Sequence, residues 1–228
     1  LAGANTYTDT LAATSPCTVD AMVTVAVTEQ AAPVAGTTTA FSICEGSTVT
    51  LAQLNGSLSG ADAGGTWTPA LGGANTYTYT VAATSPCTVD ATVTVVVSEQ
   101  VAPVAGTTTA FSICEGSTVT LAQLNGSLSG ADAGGTWSPA LGGANTYTYT
   151  VAATSPCTVD ATVTVVVTEQ AAPDAGTDGT YTICLGESLT ELLLFNQLLG
   201  TPDAGGTWSP ALAGAGVYTY TVTATTPC

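Results

Sequence analysis

Thr146-Tyr147-Thr148-Tyr149-Thr150-Val151-Ala152 alternates without a break. Tyr147, Tyr149 and Val151 share one face and Thr146, Thr148 and Thr150 the other, the period-2 signature of a strand half turned toward a core. Downstream, Ala161 to Thr168 places Val163, Val165 and Val167 on one side, and the turn Ser155-Pro156-Cys157-Thr158-Val159-Asp160 predicts that the two strands form a hairpin. Upstream, Gly134 to Leu141 reads as a strand carrying Trp137, and Ala110 to Cys114 as a short one. Thr120-Leu-Ala-Gln-Leu-Asn125 fits either one helical turn or a short strand. The corresponding stretch near the end leans toward helix, because Ser188-Leu-Thr-Glu191 matches a capping box ahead of Leu192, Leu193, Leu194 and Phe195.

This pattern recurs at a period of 70 residues, and residues 31–100 and 101–170 differ only at Ala31/Val101, Thr68/Ser138 and Ser98/Thr168. Residues 1–30 match 71–100 and form the C-terminal part of an incomplete repeat; 171–228 is a divergent repeat with one inserted residue and no counterpart of the final strand. Short strands at regular spacing with Gly-rich turns predict an all-β chain of tandem small two-sheet sandwiches of immunoglobulin type. A β-helix is the other repeat architecture, but its rungs are usually far shorter. The Glu-Gln-Xaa-Ala-Pro joints at 29–33, 99–103 and 169–173 are short and proline-bearing, which favours a semi-rigid array over a floppy one. A nearly exact copied block adds reach, stiffness or valency rather than a new reaction. The chain opens in mid-pattern at Leu1 and stops on Cys228, so we expect a segment of something longer whose anchor or export signal lies elsewhere.

The 228 residues hold no Lys, Arg or His against 16 Asp and Glu. Side-chain salt bridges are therefore impossible, and neither a nucleic acid backbone nor an anionic membrane leaflet is an expected partner. Charged residues are only 7% of the chain, so Thr and Ser hydroxyls hydrate the solvent faces in their place. Trypsin has no cleavage site, which predicts resistance to that class of protease. An enzyme is not expected: no His serves as general base, no cation stabilises an oxyanion, and the carboxylates that could in principle hydrolyse glycosides recur at turns.

Seven cysteines stand at Cys17, Cys44, Cys87, Cys114, Cys157, Cys184 and Cys228, with gaps of 27, 43, 27, 43, 27 and 44. Such regularity in small repeats predicts a disulfide framework in an oxidising compartment; zinc is disfavoured without CxxC or His. Two sets fit the spacing. One runs within repeats, Cys44–Cys87, Cys114–Cys157 and Cys184–Cys228, leaving Cys17 without a partner; the other runs across joints, Cys17–Cys44, Cys87–Cys114 and Cys157–Cys184. An immunoglobulin-like strand order puts Cys114 and Cys157 at the same pole of one sandwich, so one disulfide inside each repeat is the favoured expectation. Trp67, Trp137 and Trp208 lie between those cysteines and are the expected central core side chains.

The blocks Gly-Gly-Thr-Trp-Ser-Pro-Ala-Leu at 134–141 and 205–212, Tyr-Thr-Tyr-Thr-Val at 147–151 and 218–222, and Ala-Thr-Val-Thr-Val-Val-Val at 161–167 resemble the tandem immunoglobulin-like repeats of giant Bacteroidota cell-surface proteins, including gliding-motility adhesins. The resemblance implies an extracellular, surface-anchored filament exported by the type IX route, with attachment at its far ends. Antibody domains carry a Tyr two residues before their second Cys, whereas Tyr147 lies ten before Cys157, so the bridge is expected at a pole of the sandwich. Asp9-Thr10-Leu11 resembles the short O-glycosylation motif of that phylum, with Thr10 as acceptor. Asn55-Gly-Ser57 and Asn125-Gly-Ser127 match the N-glycosylation sequon but read first as turns.

Calcium is the one ion the pattern suggests, with no other cofactor expected. Glu99, Glu115 and Asp160 could meet at one joint and Glu29, Glu45 and Asp90 at the preceding one, although no DxDxD loop is present and Leu185 replaces the middle acid in the last repeat. Asp62, Asp132 and Asp203 are expected to bond local loop amides, and the Tyr pairs to be core or sheet-face residues, with sugar binding by an exposed Tyr strip as the lesser reading. The expected role is a structural stalk whose partners are neighbouring repeats and other copies in a filament. The alternatives are an array of weak glycan or protein sites acting by avidity, or a filament subunit in which 171–228 accepts a strand from another chain.

Overall fold

The computed structural model describes residues 3–228 and is built of strands with little helix. The first elements are β1 (Asn5–Leu11) and β2 (Ala21–Val27), an antiparallel pair. Residues 31–100 contain β3 (Thr37–Thr38), β4 (Phe41–Cys44), α1 (Leu51–Ser57), β5 (Leu58–Ser59), β6 (Thr66–Thr68), β7 (Thr76–Val81) and β8 (Ala91–Gln100). Residues 101–170 repeat this as β9 (Thr107–Thr108), β10 (Phe111–Cys114), α2 (Leu121–Ser127), β11 (Leu128–Ser129), β12 (Thr136–Ser138), β13 (Thr146–Val151) and β14 (Ala161–Gln170). The last repeat holds α3 (Glu191–Phe195), β15 (Thr207–Ser209) and β16 (Thr219–Thr221). Two compact units result: one runs to Ala102 and includes Thr154–Thr158, and the other comprises Pro103–Ala153 and Val159–Cys228.

In the first unit the strands of 31–100 form a four-stranded sheet in the order β4-β8-β7-β6 beside the two-stranded sheet β3-β5. The expected hairpin is present: β7 and β8 are antiparallel, with Tyr77 opposite Val95 and Tyr79 opposite Val93. Its alternation decides what is buried, since Tyr77, Tyr79 and Val81 of β7 and Val95 and Val97 of β8 point inward while the intervening residues are more exposed. The pairing that sequence reasoning did not supply is β4 with β8, which is parallel and sets Phe41 opposite Val97 and Cys44 opposite Gln100.

The core comprises Ile43, Val49, Leu54, Tyr77, Val95 and Val97, with Phe41 and Trp67 packed against it half-buried. Tyr77, not Trp67, is therefore the central side chain, fully enclosed at 0% exposure. Trp67 is peripheral because its indole N–H needs a partner, which it finds in Asn55 Oδ1 at 3.0 Å while its ring packs on Tyr79 at 5.1 Å. Asn55-Gly-Ser57 is accordingly not a turn but the end of α1. This helix begins at Thr50, whose Oγ1 accepts from Gln53 N while Gln53 Oε1 accepts from Thr50 N, a complete capping box that settles the helix-or-strand ambiguity.

The second unit repeats the sheet order as β10-β14-β13-β12 and β11-β9, and the core as Ile113, Val119, Leu124, Tyr147, Val165 and Val167. Its last repeat, 171–228, keeps β15 paired with β16, with Trp208 opposite Tyr220. Thr190 rather than Ser188 caps α3, accepting from Leu193 N. Residues 181–184, which match β10, form no strand, because the partner that β14 gives to β10 has no counterpart here. Among the described residues of 171–228 none is buried.

Candidate functional site

The feature with chemical consequence is the joint following each complete repeat, and its parts are set by the parallel pairing. Because β4 runs alongside the far end of β8, Cys44 stands beside Gln100. Cys87 lies just before the start of β8, so about ten residues of extended chain, roughly 30 Å, separate it from Cys44. A disulfide spans at most about 7 Å between Cα atoms, so the expected Cys44–Cys87 bridge is excluded by geometry. The bond that forms is Cys44–Cys157, with Cα atoms 4.7 Å apart. Cys157 reaches Cys44 because its Sγ rests 3.6 Å from Gln100 O and 3.9 Å from Val101 O.

The second unit repeats the arrangement. Cys114 stands beside Gln170, Cys228 Sγ lies 3.6 Å from the carbonyls of both Gln170 and Ala171, and Cys114–Cys228 is bonded. Neither expected pairing set is therefore formed: Cys114–Cys157 fails for the same reason as Cys44–Cys87, Cys184–Cys228 is not formed because Cys228 is bonded to Cys114, and the short cross-joint pairs do not occur either. Each bond instead skips ahead to the next repeat, over 113 and 114 residues. There is no disulfide confined to one repeat among the described residues, and Cys17, Cys87 and Cys184 are free. Cys87 nevertheless occupies the same carbonyl cradle as its bonded counterparts, with Sγ 3.5 Å from Gln30 O and 3.8 Å from Ala31 O.

Backbone clamps hold the segment next to each joint. Asp62 Oδ2 accepts from Val34 N while Asp62 N donates to Val34 O, and Asp132 clasps Val104 in the same way. Asp203 and Asp174 form the matching pair in the last repeat. These bonds span 28 or 29 residues, so the aspartates are not bonded to local amides as expected from sequence; they tie the post-proline segment to the loop before the Trp strand.

Four of the six acidic residues suggested for calcium are already engaged separately. Glu45 Oε2 accepts from Ala102 N at 3.2 Å and Glu115 Oε2 from Ala172 N at 3.3 Å. Asp90 and Asp160 each brace a hairpin by accepting from Ala83 N and Ala153 N at 2.8 Å. Glu99 Oε1 lies near Gly73, and Glu29 Oε1 near Gly3. Among the described residues no three acidic or cysteine side chains gather closely enough to hold a metal ion. Thr10 is exposed on β1, opposite Met22. Tyr77, Tyr79, Tyr147 and Tyr149 are buried, which removes them as a sugar-binding strip.

Open grooves flank the tryptophans. One, of about 640 Å³, is lined by Leu51, Asn55, Trp67, Pro69 and Leu71, and another of about 440 Å³ by Leu121, Asn125, Trp137, Pro139 and Leu141. No helix among the described residues is long and apolar enough to cross a membrane. Two disulfides are the mark of an oxidising, non-cytoplasmic compartment. Compared with protein-family models, curated proteins and solved structures, the chain matches none of them.

Proposed function

We propose that this chain is a load-bearing stalk segment of an extracellular surface filament or adhesin, with immunoglobulin-like repeats as its units. The observation that carries the reading is the stagger of the disulfides. Cys44–Cys157 and Cys114–Cys228 overlap across residues 114–157, so force applied at the ends passes from one bond to the next through covalent structure. The sequence blocks resembling Bacteroidota adhesin repeats, the near-identity of 31–100 and 101–170 and the absence of any catalytic inventory support the same role.

Pulling the chain from both ends tests it. With the bonds intact, the load path runs to Cys44, crosses to Cys157, returns to Cys114 and crosses to Cys228, so full extension reaches about 300 Å. Reduction frees the whole backbone to about 800 Å. Release of the longer contour without reductant would show that the bonds bear no load and remove the basis of the stalk reading.

The paired Trp grooves favour a second reading, a multivalent array of weak glycan or peptide sites one repeat apart. A glycan array probed with the full chain tests it: binding lost in a Leu71→Asp, Leu141→Asp double variant favours the array, and no binding favours the stalk alone.

A further inference from the structure

We infer that each Trp groove takes an uncharged glycan, with Trp67 or Trp137 as the stacking platform and the side-chain amide of Asn55 or Asn125 as the donor that reads a sugar hydroxyl. The inference rests on the reading of the grooves as an array of weak sites. An indole N–H only donates, so the atom that meets Trp67 Nε1 at 3.0 Å is the carbonyl oxygen of the Asn55 amide. That bond fixes which way the amide faces. Its Nδ2 has no protein partner among the described residues, and Asn55 is exposed where α1 borders the groove. Trp137 and Asn125 form the same pair at the same distance in the next repeat.

The neighbouring polar groups are already paired. Gly65 N donates to the Tyr79 hydroxyl, which donates in turn to Asp62 O, each at 3.0 Å, and Gly135, Tyr149 and Asp132 are linked in the same way. The Asn amide is thus left as the side-chain donor beside the ring. Each indole is half-buried, packed against the core and tilted on a Tyr ring at 5.1 Å, and it also lines the groove. Leu51 and Leu71 wall the first groove and Leu121 and Leu141 the second; all four are exposed. A flat aromatic surface beside one oriented amide suits a pyranose, whose C–H face stacks on the indole while a ring hydroxyl accepts from Nδ2.

Charge separates neutral from acidic sugars. The chain has 16 carboxylates and no Lys, Arg or His, and Asp62 lines the first groove. A uronate or a sulfate would lose water there with no cation to pair it, against the field of the whole chain. A neutral hydroxyl carries neither cost. A basic peptide is drawn by the same field, but over the entire surface and not to the groove. Its ammonium and guanidinium groups only donate, so the free Nδ2 of Asn55 or Asn125 offers them nothing to bond.

The double variant Asn55→Asp, Asn125→Asp isolates the amide. It keeps an oxygen for each indole N–H and exchanges the free donor for a carboxylate oxygen that only accepts, so the melting temperature should not move. The full chain is passed over immobilised neutral hexasaccharides of glucose, mannose, galactose and N-acetylglucosamine, over hexagalacturonate, and over polylysine. At least one neutral hexasaccharide is expected to bind, about tenfold or more tighter than hexagalacturonate, and to lose about tenfold or more in the double variant. Hexagalacturonate binding as tightly, neutral binding that survives the double variant, or a preference for polylysine each overturns the proposal. The first two still leave the grooves as sites, which Leu71→Asp, Leu141→Asp reads separately. A chain that binds none of these probes removes this proposal and the array reading together, and every one of these results leaves the pulling experiment unaffected.

Discussion

At the scale of single residues, the phenol of Tyr147 does more than fill volume. Its hydroxyl accepts from Gly142 N at 3.1 Å and donates to Gly143 O at 2.7 Å, closing the loop ahead of β13 onto its own strand. Tyr147→Phe keeps the ring but strands two backbone groups, so a loss of about 1–3 kcal/mol is expected in urea denaturation. Gly106 has φ +71°, and a Cβ there would sit 2.3 Å from Ser129 O; Gly106→Ala is therefore expected to lower the melting temperature even though Ala is smaller than most neighbours. Asp90, Asp160, Glu45 and Glu115 each accept one backbone amide, as Asp160 does from Ala153 N. Millimolar calcium or a chelator is accordingly expected to leave the calorimetric melting temperature unchanged, and a rise with calcium would show that Glu99, Glu115 and Asp160 do converge.

At the scale of elements, α2 depends on a reciprocal cap: Thr120 Oγ1 accepts from Gln123 N and Gln123 Oε1 accepts from Thr120 N. Thr120→Ala is expected to cost about 1 kcal/mol, read as a shift of the urea midpoint at constant slope. The sequence left this stretch open between a helical turn and a short strand, because the Thr-x-x-Gln cap runs into an Asn-Gly-Ser that also reads as a turn. The β7–β8 and β13–β14 hairpins were legible because alternation and a local turn together fix an antiparallel register. The β4–β8 and β10–β14 pairs were not. A four-residue strand carries little periodicity, and its parallel partner lies more than 50 residues away with no turn to set the register. That single hidden pairing misplaced Cys44 and Cys114 by a strand length and with them the whole disulfide pattern. The tryptophans misled differently, since size suggests a centre while the indole N–H demands an edge.

At the scale of the whole molecule, 16 carboxylates face no cationic side chain, so the native state is opposed by unrelieved repulsion. The disulfides offset this by restricting the unfolded chain. A bond closing 113 residues is worth about 5 kcal/mol at the upper end of the chain-entropy estimate, and the second adds less because residues 114–157 lie inside both loops. The pairing itself is open to a direct count. Alkylation of the folded, unreduced chain should label Cys17, Cys87 and Cys184, and in Cys44→Ser the newly reactive thiol should be Cys157. Bonds confined to repeats would leave Cys17 as the sole labelled residue, and Cys44→Ser would then release Cys87. The two outcomes differ in which peptide carries the label, and only the first makes each repeat hold its neighbour by a covalent bond.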